Sequence, residues 1–229
     1  MSALRRELAR AGAVAWKDLT TERRTKATFN GVLFLAALTL LLFGFALGPN
    51  AEALRASAAG VLWLTLLFSG VLAFNQSWQL ELEGGALESL LLYPGDRRAI
   101  FLGKLAANLI FVLLVLVLVV PMAAVLFNLP LLRPFPGLAG VFLLGTFGFV
   151  TLGTFYAAMA SRVRAREVLL PLLLFPMLVP LLLGAVGATR ALLSGDVMRD
   201  SRAWVGLLGA FDLIFFVATL LAFEYILED

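Results

Sequence analysis

The chain of 229 residues contains no cysteine and no histidine. Without cysteine there is no disulfide framework and no thiolate nucleophile. Without histidine, the usual metal ligand and the proton shuttle that works near neutral pH are both missing. Charge is scarce as well: Asp, Glu, Lys and Arg make up 14% of the residues against 62% hydrophobic, and mean hydropathy is +0.98. No GxxxxGK[ST] phosphate cradle occurs, since Gly103-Lys104 has the wrong spacing and continues into Leu105. A Ser-His-Asp set is impossible without histidine, and no paired-carboxylate cleft is visible. The sequence therefore points away from an enzyme, with no catalytic residue, no metal site and any ATP hydrolysed on another chain.

What is present is apolar length. Uncharged runs cover residues 27 to 51, 56 to 80, 105 to 132, 134 to 161, 168 to 189 and 203 to 211. A bilayer core takes about 20 apolar residues per spanning helix, so five of these cross unaided. The sixth reaches that length once Asp212 is admitted, because residues 213 to 223 are again uncharged. The runs are apolar on all sides rather than alternating, which selects helices over a barrel. The expected fold is all-α: one integral membrane domain over residues 1 to 229, with spans at about 28–47, 57–79, 105–127, 137–160, 168–189 and 203–223.

Orientation follows from the basic residues. Of the 18 Lys and Arg, thirteen fall in the N-terminal tail, the segment 81 to 104 and the loop after the fourth run; only Arg55, Arg133, Arg190, Arg199 and Arg202 fall on the other side. The positive-inside rule then puts both termini and residues 81 to 104 in the cytoplasm. A sequence pI of about 9.7 is explained by anionic lipid at the span ends and implies no nucleic-acid partner. Ahead of the first span, Leu4, Leu8, Ala11, Ala15 and Leu19 share one face of a helix over residues 3 to 20, flanked by Arg5, Arg6, Arg10 and Lys17. That pattern predicts an interfacial amphipathic helix on the inner leaflet. The first span is expected to be a retained signal anchor.

Four features inside the spans stand out. Asn75, Gln76 and Gln79 lie near the inner end of the second span, where amides can bond across helices. Gly153, Ala157 and Ser161 repeat at four-residue spacing in the fourth, which lets a neighbour approach closely. Pro171, Pro176 and Pro180 interrupt the fifth run and predict a kinked or broken, even re-entrant, element that gates or lines a path. Asp212 lies about midway along the sixth, where an ionised carboxylate costs about 2.5–3.5 kcal/mol on insertion scales. It should face the protein interior, either as a gating or substrate contact or as a structural hydrogen-bonding group.

The largest polar interruption is residues 81 to 104, ELEGGALESLLLYPGDRRAIFLGK, with seven charged side chains. Gly84 and Gly85 break the preceding helix, Leu87, Leu90 and Leu91 recur at three- and four-residue spacing, and Pro94-Gly95 ends the pattern. A short cytoplasmic docking helix over residues 84 to 94 is the expected result.

An amphipathic N-terminal helix, two spans, a short cytoplasmic helix and four more spans resemble the permease subunit of ABC-2-type exporters over nearly the full chain. Within that superfamily, the stretch Glu83 to Pro94, Lys104 opening the third span, Gly60-Val-Leu-Trp63 in the second and Pro171 to Gly184 resemble the CcmB family, the haem exporter permeases of cytochrome c maturation. The family usually carries more charge just before the docking motif, where this chain has Asn75, Gln76 and Gln79. The resemblance implies a CcmA-type ATPase docking on residues 81 to 98, with Glu83, Gly84, Gly85, Leu87, Glu88, Leu90, Leu91 and Pro94 transmitting force. It also implies association with CcmC and CcmD, transfer of haem to the chaperone CcmE, and two permease copies with two ATPases in the lipid bilayer. No cofactor is expected to be bound tightly: ATP belongs to the partner, and haem is the implied substrate. Haem iron takes axial His, Cys, Met or Tyr, and here only Met122, Met159, Met177 and Tyr156 fall in or near spans. Either haem passes without tight ligation, or the chain transmits ATP energy so that a partner releases haem. An ABC-2 permease for a lipid or polysaccharide, or a membrane scaffold without transport, are the alternatives.

Overall fold

With no water in a bilayer to satisfy backbone groups, each spanning segment must bond to itself, and every regular element among the described residues is an α-helix. The computed structural model describes residues 3 to 83, 96 to 131, 134 to 161, 166 to 195 and 200 to 226. Its helices are α1 (Ala3–Thr25), α2 (Ala27–Leu47), α3 (Ala51–Glu83), α4 (Arg98–Phe127), α5 (Phe135–Ser161), α6 (Arg166–Leu193) and α7 (Asp200–Ile226). Six of them, α2 to α7, contain segments long and apolar enough to cross a membrane.

The joints follow local chemistry. Lys26, in the left-handed region at φ 53°, separates α1 from α2, and Glu22 Oε1 accepts a bond from the Phe29 amide at 2.7 Å. Gly48 at φ 67° turns the chain out of α2 ahead of Pro49. Asn50 Oδ1 then accepts from the amides of Glu52 (3.0 Å) and Ala53 (3.1 Å), capping α3.

Helices α3 and α5 form the centre: 72% and 67% of their apolar windows are buried, against 17% to 33% for the other four. Glycine makes their contact close. A Cβ at Gly145 would overlap Trp63, one at Gly153 would overlap Phe74, and Phe74 stacks on Phe149 at 5.0 Å between ring centroids. Two glycines of the fourth span, Gly145 and Gly153, therefore receive large aromatics of the second. Trp63 Nε1 donates to Thr189 Oγ1 on α6 at 3.0 Å, and Asn108 Nδ2 on α4 donates to Thr154 Oγ1 on α5 at 3.0 Å. Such bonds are retained because few other partners exist in an apolar interior.

Three expectations change. First, Pro171, Pro176 and Pro180 do not break the fifth span: Arg166–Leu193 is one continuous helix, not a re-entrant element. Its buried ridge is Leu170, Leu174, Leu178, Leu181, Ala185, Ala188 and Leu192, while Pro176 and Pro180 are exposed and Pro171 is half-buried. The lost backbone bonds thus fall away from the ridge that holds the helix to its neighbours, and packing there keeps it continuous.

Second, the polar interruption is shorter than its charge suggests, since α3 runs on to Glu83 and α4 already begins at Arg98. Third, α1 has a protein partner. It packs along the start of α4, with Val14 buried and Ala11 half-buried, while Leu8 and Trp16 remain 59% and 72% exposed. The apolar stripe is thereby divided, part against protein and part facing outward.

Candidate functional site

The expected docking helix, with Gly84, Gly85, Leu87, Glu88, Leu90, Leu91 and Pro94, lies outside the described residues, as does the side chain of Glu83. Its flanks are described, and they converge. Where the chain re-enters at Asp96, that residue's Oδ1 accepts the Arg98 amide at 2.9 Å and starts α4. The Arg98 guanidinium pairs with Glu224 near the end of α7, and one turn later Phe101 packs on Phe223 at 4.9 Å between centroids. Arg98 therefore joins α4 to α7.

Lys104 joins α4 to two more helices. Its side chain is 1% exposed, and its ammonium lies 2.9 Å from Asp18 on α1. It donates to the Ser77 carbonyl on α3 at 3.1 Å and sits 5.3 Å from the centre of the Trp78 ring. A buried ammonium is tolerable only with such compensation: a carboxylate, a carbonyl and the negative face of an indole. Gly103 makes the approach possible, because a Cβ there would meet the Ala11 carbonyl and Val14 Cβ, each at 2.6 Å. Asp18 also lies 3.4 Å from Lys17. Beside this cluster a hollow of about 210 Å3 is lined by Asp18, Glu22, Thr28, Ser77, Asn108 and Phe111 among others.

Charge counting groups Lys104 with the cytoplasmic segment, whereas the structure makes it an interior anchor. A signal was available: Ala99, Ile100, Phe101 and Leu102 are apolar ahead of it, so the helix had to begin earlier. Its partner Asp18 carries no comparable mark in the sequence. Of the amides singled out on α3, Asn75, Gln76 and Gln79 are half-buried, and Gln76 Oε1 has no hydrogen-bond partner among the described residues.

Asp212 lies in the interior, 5% exposed, on α7. A Cβ added at Gly148 on α5 would overlap both Asp212 Oδ1 and Leu181 of α6, so the carboxyl sits where three helices meet. Neither of its oxygens has a hydrogen-bond partner among the described residues. Pro176 and Pro180 face away from it, to the outside of the bundle, so the four path candidates do not form one cluster. Met159 and Met177 are also partly exposed, at 38% each. Among the described residues no group of three or more His, Cys, Asp or Glu could hold a metal ion.

The family model described as CcmB protein matches residues 9–228. A protein of Pseudomonas aeruginosa called Heme exporter protein B is 31% identical over 191 residues, covering 83% of this chain and 85% of its own. Proteins of the same description from Rhodobacter capsulatus and Paracoccus denitrificans are 38% and 33% identical; the first alignment covers 66% of this chain and 67% of the relative, the second 81% and 85%.

Proposed function

As the chain belongs to the CcmB family, we propose that it is the membrane permease subunit of a haem exporter, driven by ATP hydrolysis on a separate CcmA-type ATPase. The docking surface is residues 81 to 98, with Glu83, Gly84, Gly85, Leu87, Glu88, Leu90, Leu91 and Pro94 bearing the load. Work done there exports haem or releases the haem-loaded chaperone CcmE, with CcmC and CcmD as further partners and two copies of the permease serving two ATPases. The membrane is the bacterial inner membrane, with both termini and the docking segment in the cytoplasm.

The observation that carries this reading is the convergence around the segment's flanks. Within seven residues of its described start, α4 is bonded to α7 through Arg98, and to α1 and α3 through Lys104. A push on the segment therefore acts on four helices at once. Helix α7 carries Asp212 into its junction with α5 and α6, which supports a role for that carboxyl in the conformational change; Pro171, Pro176 and Pro180 lie along α6, which packs against α7.

The test is co-purification with the ATPase before and after the double substitution Leu87→Asp with Leu91→Asp. The ATPase is expected to be lost while the permease still inserts as a folded protein. Retention of the ATPase would overturn the docking assignment and favour a scaffold without transport.

A further inference from the structure

At the end of the bundle opposite Lys104, a hollow of about 540 Å3 opens between the first turn of α3, the loop after α4 and the last turn of α6. Arg55 on its rim is 22 residues from Ser77 along α3, about 33 Å at 1.5 Å per residue. The volume lies within the range of roughly 300–1,000 Å3 found for small-molecule sites. Leu129, Pro130 and Leu193 supply apolar walls, and Glu52, Arg55 and Arg190 supply charge.

The two arginines are under-used. Arg55 Nε donates to the Asn128 carbonyl at 3.1 Å, which fixes the guanidinium and leaves its terminal amino groups without a partner among the described residues. Arg190 is exposed in the last turn of α6; its carbonyl accepts the Ser194 amide at 3.0 Å, but its guanidinium makes no hydrogen bond or ion pair with any described residue. Glu52 lines the same hollow and forms an ion pair with neither arginine. Guanidinium forks match carboxylate oxygens two at a time. A small inorganic anion would leave the apolar walls bare, whereas an apolar molecule bearing carboxylates would satisfy walls and rim together.

We infer that this hollow binds an amphiphilic carboxylate, its acid groups on Arg55 and Arg190 and its apolar body against Leu129, Pro130 and Leu193. Resting on the haem-export reading, the ligand is haem held by its two propionates, with no iron bond from this chain. A fatty acid offers the same chemistry from the lipid, and the experiment separates the two.

The full chain in nanodiscs is titrated with protoporphyrin IX, which keeps the propionates and lacks iron, and with its dimethyl ester. Porphyrin fluorescence anisotropy is read against empty nanodiscs. Saturable binding of the acid is expected, at least tenfold tighter than the ester, and at least tenfold weaker in Arg190→Gln with Arg55→Gln. Arg190→Gln alone breaks no described contact, so its weaker binding cannot be ascribed to unfolding. Glu52→Gln should tighten binding by removing a like charge. Equal binding of acid and ester, or wild-type binding by the double variant, overturns the site. Displacement by palmitate overturns haem as the ligand while upholding the carboxylate site; failure to displace upholds haem. ATP-driven haem transfer by the wild-type complex, together with unaltered porphyrin binding in the variants, would remove this pocket and leave the export reading standing. Absence of that transfer, with the arginine effect intact, would do the reverse.

Discussion

Lys104 and Asp212 are both ionisable and both buried inside helices that cross the membrane, yet their surroundings are opposite. Lys104 has a carboxylate, a carbonyl and an indole ring from two other helices within reach, and it holds α1, α3 and α4 together at one end of the bundle. Asp212, at the meeting of α5, α6 and α7, has no hydrogen-bond partner for either oxygen among the described residues. A buried charge with partners is a fastening, because removing any one partner strands the others. A buried carboxyl without partners fastens nothing, and the bundle must hold it in place by packing alone. The same contrast separates the two ends of the molecule: Lys104 is consumed by internal contacts, while the Arg190 guanidinium at the far end has no partner among the described residues.

The comparison can be broken first at the Lys104 end. Asp18→Ala strands an ammonium that is 1% exposed and should destabilise the detergent-solubilised protein by about 3–5 kcal/mol, measured by reversible unfolding. Lys104→Met should cost less, because Asp18 is 16% exposed and keeps Lys17. Combining it with Asp18→Ala should cost less than the two singles together, and a double variant as unstable as their sum would show that the pair is not coupled.

Gly103→Ala comes next. The added methyl meets the Ala11 carbonyl, which is backbone and cannot swing aside, so α1 should lift from α4 at about 1–3 kcal/mol. Faster proteolysis of residues 3 to 25 would report it; unchanged cleavage would show that α1 is not held there.

Gly148→Ala should be milder, since its new methyl meets the ends of the Asp212 and Leu181 side chains, which can move. A cost of about 1–2 kcal/mol, smaller still in an Asp212→Ala background, would place the two in contact; equal cost in both backgrounds would not. The smallest effect on folding belongs to Asp212→Asn, below about 1 kcal/mol, because no bond is lost. If that variant also left haem transfer unchanged in the assembled complex, Asp212 would have no part in gating.

Much of the architecture was legible. The uncharged runs locate six spans because lipid imposes one length and one backbone solution. The burial of Asp212 was legible for the same reason, as no other placement is tolerable at that depth. The prolines misled, since counting lost backbone bonds says nothing about which side of the helix loses them. Lys104 was misread because a lysine at the edge of an apolar run looks like a loop residue until Asp18, 86 positions earlier, is brought to it.

What the sequence by itself determined is therefore the class of the molecule: helical, membrane-spanning, and without thiol or imidazole chemistry. Those conclusions depend on composition and local order, which the bilayer reads directly. Only the tertiary structure decided that α3 and α5 are central, that Lys104 joins three helices, and that Asp212 has no partner among the described residues. Partnership between distant residues depends on which helix faces face each other, and six apolar helices carry little in their own patterns to say so.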